Sequence, residues 1–221
     1  MEQEWDMMPI LVCGDDLFLS LWCWYGEKGF DLAVLRKVWL FSCLHIKALL
    51  RDPSKLPEHL RSNIEIIQGD VTNITDVQQT VEGQDAVIVT LGTRNDLSPT
   101  TVLSEGMKNI IAAMKKNGIE CVSVCLSAFL FYAPEKVPTR FSDLNADHQR
   151  MLDYLKASGL KWIAILPPHL TDNLHGDYTV SHGSSPGRAI AKCDLAAFML
   201  DSLSDPAQHN QLCGIATNVN A

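Results

Sequence analysis

The feature that most limits what this chain can fold into is a regular alternation that begins at His45. Five short apolar runs recur downstream: Ile46–Leu50, Ile64–Ile67, Ala86–Leu91, Glu120–Leu126 and Trp162–Leu166. Each is nearly continuous in apolar residues, the pattern of a strand covered on both faces. Between them lie stretches of helical spacing. The alternation of strand and helix builds a parallel sheet from βαβ units. The expected fold class is therefore α/β, a doubly wound and mostly parallel sheet in a single domain, which suits 221 residues. One helix is predicted to start at Ser98-Pro99, with Ser98 as N-cap and Pro99 at the first position, and to end at Asn117-Gly118. Its apolar face holds Ile110, Ile111 and Met114. A second is predicted from about Asp143 to Ser158-Gly159, with Met151, Leu152 and Leu155 inward, and a third from near Asp194, carrying Leu195, Phe198, Met199 and Leu203.

Residues 1–44 lack this order. Pro9–Gly14 has the makings of a first strand and turn; the rest is rich in Trp, Leu and Phe without a clear period. The runs Leu17–Tyr25 and Val38–Leu44 fall short of the ~20 residues that span a bilayer, and Arg36 and Lys37 lie between them. The acidic start Met1–Asp6 is unlike a secretory leader. The seven cysteines are odd in number and none pair at C-x-x-C spacing, which points away from zinc, or any metal, and from disulfides, and toward reduced thiols in a cytoplasmic protein. A net charge of −8 disfavours nucleic acid and anionic membrane as partners and leaves a small molecule.

In a doubly wound sheet ligands bind beyond the C-terminal strand ends, so the residues that follow each run carry the functional expectation. Arg51, Ser54 and Lys55 follow the second strand, where a basic residue accommodates the 2′-phosphate of NADP; Arg51 reads equally as a solvated loop residue. Asp70 and Val71 follow the next, Asp70 either capping a helix or binding an adenine amino group. Asn73-Ile74-Thr75 matches a glycosylation sequon but reads as a helix start. Gly92, Thr93 and Arg94 follow the fourth, glycine permitting close approach of a ligand to the backbone. Cys125 and Ser127 stand at the end of the fifth, with Ser127 aimed at a nicotinamide. Pro167-Pro168-His169 follows the sixth, two prolines fixing the chain so that His169 faces the cleft. Tyr132-x-x-x-Lys136 has the spacing of a catalytic Tyr/Lys pair, but Pro134 between them opposes the helix such a pair needs.

From about Ile46 to Asp201, some seven tenths of the chain, these residues closely resemble the flavin reductase (biliverdin-IXβ reductase) family, an atypical branch of the short-chain dehydrogenase-like, Rossmann-type superfamily. The stretches that carry the resemblance are LLRDPSKLP, GDV, VEGQDAVIVTLGTRNDLSPTT, SEGMKNIIAAMKKNGI, SAFLFYAPEKVP, DHQRML, SGLKWIAILPPH and YTV. The resemblance implies a cytosolic monomer, active in haem catabolism, that uses NADPH to reduce flavins, biliverdin isomers and some quinones. It implies that Arg51, Ser54 and Lys55 hold the 2′-phosphate, that Asp70 and Val71 hold the adenine, and that Gly92, Thr93 and Arg94 line the cofactor. Ser127, Pro168, His169 and Leu170 would surround the nicotinamide. Phe129, Leu130, His148 and Arg188 would form the acceptor pocket, with Ser127, His169 and His148 the catalytic candidates. Cys125 matches a cysteine that the family uses in nitrosyl transfer.

The family opens with a strand and a GATGQTG loop whose backbone amides bind the pyrophosphate. Nothing before residue 45 matches it: Gly26-Glu27-Lys28-Gly29 has an acid between its glycines, and Asp15-Asp16 follow Gly14. Residues 1–44 are thus expected to be a divergent segment replacing or distorting the first strand, loop and helix, ahead of an NAD(P)-binding, Rossmann-like domain over residues 45–221. Loss of several charge-assisted bonds, each about 1.5–3 kcal/mol, predicts NADPH binding weakened by orders of magnitude. Two other readings stay open: a non-catalytic NADP-binding regulator, and a structural or interaction protein on the same fold.

Overall fold

The computed structural model describes residues 9–13, 45–56, 58–61, 64–93, 96–171 and 176–218, with the backbone alone at 9–13, 55, 59 and 60. Its strands are β1 (Pro9–Cys13), β2 (His45–Leu50), β3 (Ile64–Gln68), β4 (Ala86–Val89), β5 (Cys121–Cys125), β6 (Lys161–Leu166), β7 (His169–Thr171), β8 (Tyr178–His182), β9 (Ala189–Ala191) and β10 (Gln211–Thr217). The helices are α1 (Glu58–Arg61), α2 (Ile74–Val81), α3 (Val102–Asn117), α4 (Ser142–Ala157) and α5 (Lys192–Asp201). Eight strands form one sheet in the order β3-β2-β1-β4-β5-β6-β10-β8, all parallel except β8, which runs antiparallel to β10. β7 and β9 pair separately, in parallel.

The doubly wound α/β expectation holds. β1 lies at the centre, with Ile10 opposite both Ile46 of β2 and Ala86 of β4. Pro9–Cys13 therefore takes the place of the first strand; the loop and helix expected to be replaced, from Gly14 to residue 44, lie outside the described residues.

Alternate residues of each strand feed two cores. Val87, Val89, Val122 and Val124 pack with Val77, Met107, Ile110, Met114, Met151 and Leu155 from α2, α3 and α4. Ala86, Ile88, Ile163 and Ile165 pack on the other side with Leu195, Phe198 and Met199 of α5. Burial on both faces explains why these strands read as unbroken apolar runs.

α3 ends at Gly118, which caps it in the left-handed conformation (φ 71°), as its sequence position suggests. Its start differs from expectation: helix begins at Val102, with Thr101 rather than Ser98 at the N-cap. The Asp96 carboxylate accepts from Ser98 N–H at 2.9 Å and folds Ser98 into a turn instead. The first two helical amides are capped from different places: Val102 N–H donates to Thr100 Oγ1 at 3.1 Å and Leu103 N–H to Asp147 of α4 at 3.0 Å. Asn73 caps α2 by accepting from Thr75 N–H at 3.0 Å, which makes Asn73-Ile74-Thr75 a helix start as read. Strands β7 to β10 are absent from the expected pattern. They are short or interrupted, and Gly214 in β10 exists because the Ser184 carbonyl occupies the place of a Cβ.

Among the described residues no helix is long and apolar enough to cross a membrane.

Candidate functional site

Because β1 to β6 are parallel, the residues that follow β2, β3, β4, β5 and β6 emerge along one edge of the sheet. Chain order runs outward from β1 in both directions, which places a crevice beyond β1 and β4.

At the β2–β3 end, Arg51 follows β2 and is exposed. The turn after β3 is tied beside it, with Gly69 N–H donating to Leu50 carbonyl at 3.1 Å and Gln68 Nε2 to Arg51 carbonyl at 3.4 Å. Ser54 lies exposed in the 3-10 turn Pro53–Lys55, whose cap is Asp52. The Asp52 carboxylate accepts from Ser54 N–H at 3.1 Å and from Ser54 Oγ at 2.5 Å, so the acid beside Arg51 is committed to the turn. Lys55 shares that turn; its side chain lies outside the description. Asp70 Oδ1 accepts from Thr72 Oγ1 at 2.6 Å and Thr72 N–H at 2.8 Å. Those bonds, helped by the Arg51 charge and opposed by partial burial, hold its carboxyl below the usual range. Val71 is buried against α3, where a Cβ on Gly106 would stand 2.7 Å from it. Its carbonyl accepts from Asn109 Nδ2 at 2.9 Å.

After β4, Gly92 is exposed, and among the described residues a Cβ there would meet nothing within 4 Å. Thr93 is half-buried and its hydroxyl donates to Asp96 carbonyl at 2.6 Å. Arg94 lies outside the described residues.

At the β5–β6 end, Leu126 N–H donates to Ile165 carbonyl at 2.8 Å and holds the two exits together. Ser127 caps the 3-10 turn Ala128–Phe131, its Oγ accepting from Phe129 N–H at 3.2 Å. Phe129 stacks 5.2 Å from Phe141 and 6.3 Å from Tyr132, centroid to centroid, and Arg140 lies 4.6 Å over the Phe141 ring. Leu130 and Pro168 are half-buried nearby, and Leu170 packs against the α5 core. His169 opens β7 and is exposed; its N–H donates to the Arg188 carbonyl at 3.2 Å, so these two expected residues are brought side by side. Tyr132 closes one 3-10 turn and Lys136 ends the next. They share no helix, and no Tyr/Lys proton relay forms.

His148 lies on α4, whose Asp147, Met151 and Leu155 are buried. Its Nδ1 is shut off from solvent and meets no partner among the described residues. Burial pushes its pKa down to about 4, against the opposing pull of Asp147. At neutral pH it is an uncharged hydrogen-bonding group. Burial also pushes the Cys125 thiol up to about 12. Almost no thiolate exists at neutral pH, which opposes the nitrosyl-transfer role expected of it.

The sequence reading missed Asp147, Arg150 and Asn109, which hold the site loops by hydrogen bonds across the fold. An Asp-x-x-Arg spacing inside a predicted helix was the one visible signal for the first two.

Arg51 brings a guanidinium, a group that suits a phosphate, to the same edge as the exposed Gly92, a placement that suits a dinucleotide laid along this edge. A family profile described as NAD(P)H-binding matches residues 41–206. Among solved structures, a Rossmann-fold NAD(P)-binding family protein from Shigella flexneri superposes with a TM-score of 0.71 at 22% identity, covering 97% of this chain and 98% of that one. An oxidoreductase from Lactococcus lactis gives 0.74 at 18% identity, covering 97% and 93%. A wide-type short-chain dehydrogenase/reductase from Veillonella parvula, solved with NADP, gives 0.69 at 15% identity, covering 95% and 94%.

Proposed function

Since the chain belongs to the NAD(P)H-binding family, we propose that it is an NADPH-dependent reductase of flavins, biliverdin isomers and related conjugated acceptors such as quinones. The observation that carries this reading is the placement of an exposed Arg51 on the same sheet edge as a half-buried aromatic cluster around Phe129. When bound, NADPH supplies the hydride of its nicotinamide C4. Arg51, Ser54 and Lys55 bind the 2′-phosphate, for which a guanidinium offers a planar fork of donors. Asp70 and Val71 position the adenine; Gly92, Thr93 and Arg94 line the middle of the cofactor. Ser127, Pro168, His169 and Leu170 frame the nicotinamide. Phe129 and Leu130, with His148 and Arg188, bound the acceptor, which stacks under apolar side chains and so is held near the donor.

A proton must reach the reduced acceptor. Ser127, His169 or water delivers it; the low pKa of His148 removes that residue as an imidazolium donor and leaves it a neutral acceptor-side contact. A pocket with few fixed polar groups accepts several planar molecules. The chain works as a monomer in the cytoplasm. Without a glycine loop in residues 14–44, the pyrophosphate is held less firmly than in relatives that have one.

Flavin mononucleotide added to the chain and NADPH should speed loss of the NADPH absorbance, with NADH a poorer donor. No flavin-dependent oxidation in the face of measurable NADPH binding would favour the non-catalytic regulator. The departure from the glycine loop favours a third reading, a structural or interaction protein; no thermal shift with NADPH would support it.

A further inference from the structure

The loop between β4 and α3 is one wall of the proposed cofactor crevice, and it is fastened at its rear by a different helix. Asp147 of α4 is fully buried, and its carboxylate reaches across to the start of α3. Oδ2 accepts from Leu103 N–H at 3.0 Å. Oδ1 accepts from Arg150, Nη2 at 3.0 Å and Nε at 3.2 Å. The same Arg150 Nη2 donates to the Thr100 carbonyl at 2.7 Å. One carboxylate and one guanidinium thus hold the last loop carbonyl and one of the first helix amides together. Thr101, at the N-cap, makes no side-chain cap of its own; Thr100 Oγ1 accepts from Val102 N–H at 3.1 Å, and the next amide, that of Leu103, takes its capping group from α4.

A buried carboxylate persists only where charge and donors offset its desolvation. Here the amide end of α3 and Arg150 supply both. The front of the loop is folded on itself by Thr93 Oγ1 to Asp96 carbonyl at 2.6 Å and Ser98 N–H to Asp96 Oδ1 at 2.9 Å. These bonds tie Thr93 through Asp96 and Ser98 to the fastened end, so the clamp bears on where Gly92 and Thr93 stand. The clamp is also next in sequence to His148, so α4 carries the fastening and an acceptor-side group in one rigid element.

Resting on the reductase reading above, we propose that Asp147 and Arg150 are positioning residues. They fix the β4–α3 loop against α4 so that Gly92–Thr93 stands where it lines the middle of the bound cofactor. Neither touches the cofactor.

Three variants test this in the full chain: Arg150→Met, Arg150→Lys and Asp147→Asn. The Arg150 side chain is 40% exposed, so Arg150→Met is compatible with folding. NADPH affinity is read by fluorescence titration, Leu103 amide protection by hydrogen exchange, and KM and kcat by NADPH oxidation. Arg150→Met is expected to weaken NADPH binding roughly three- to thirtyfold, the range typical of residues that act without contacting a ligand. KM for NADPH should rise more than kcat falls, and Leu103 protection should drop. Arg150→Lys, able to reach one partner, should recover part of both, and Asp147→Asn should lower Leu103 protection most. Lower thermal stability with unchanged NADPH affinity and an unchanged KM would overturn the positioning role and leave the reductase reading standing. No NADPH binding by the unaltered chain would overturn that reading, and the positioning role with it.

Discussion

The two ends of the candidate site are built from opposite materials. At the β2–β3 exits the turns are polar and self-capped: Asp52 closes the turn of Ser54, Asp70 closes that of Thr72, and Arg51 stands exposed between them. At the β5–β6 exits the chain runs through 3-10 turns that set Phe129 against Phe141 and half-bury Ser127, Leu130 and Pro168. In the proposed reductase the first end would recognise by charge, the second by flat apolar area. Charge recognition is selective and sensitive to salt, whereas an apolar wall tolerates change in the ligand. A fixed cofactor and a variable acceptor is the division of labour these materials suit.

The sharpest way to break this contrast is Arg51→Gln. Loss of charge-assisted bonds of about 1.5–3 kcal/mol should weaken NADPH binding roughly 10- to 100-fold. NADH binding should stay within about twofold, because it lacks the 2′-phosphate. Equal losses for both nucleotides in a fluorescence titration would remove the charge argument from this end.

Acid should separate the ends next. His148 has a pKa near 4 in the fold against 6.5 when unperturbed. Between those values the unfolded chain binds the extra proton, so the stabilisation is complete above about pH 6.5 and is lost as pH falls toward 4. The loss is on the order of 2–3 kcal/mol. His148→Gln, which cannot titrate, should show a flatter urea midpoint across that range. Asp70 is shifted toward its charged form rather than its neutral one, by its Thr72 hydrogen bonds.

Gly106→Ala should cost about 1–3 kcal/mol, the usual range for overpacking, because the new Cβ meets Val71. Displacing Val71 should also raise the NADPH dissociation constant severalfold with little change in flavin KM, as titration and steady-state kinetics would show. The smallest effect is expected from Phe129→Leu. An aromatic stack of about 0.5–1.5 kcal/mol predicts a flavin KM raised roughly two- to tenfold and NADPH affinity unchanged.

Much of this architecture was legible in the sequence because burial on both faces writes strands as apolar runs. Ile46–Leu50 and Trp162–Leu166 were found within a residue of their observed bounds. The edge strand β8 and its neighbour β10 were not, since β8 is partly exposed and β10 carries Gly214 for a contact visible only in three dimensions. The α3 start failed for a related reason. Ser98-Pro99 has local cap chemistry, but Asp96 holds Ser98, Thr100 caps Val102 and Asp147 caps Leu103 from 44 residues away. The strand-end candidates could be read because topology alone delivers them to one edge. The residues that hold their loops, Asn109 and Arg150, act at long range, and beyond the Asp-x-x-Arg spacing of α4 no local pattern marks them.

The central claim is that one NADPH spans both ends of this edge. A titration of NADPH followed by backbone amide shifts tests it directly. Amides of Arg51 and Asp70 at one end and of Ser127 and His169 at the other should move together and saturate at one concentration. Shifts confined to one end, or two ends saturating at different concentrations, would contradict it.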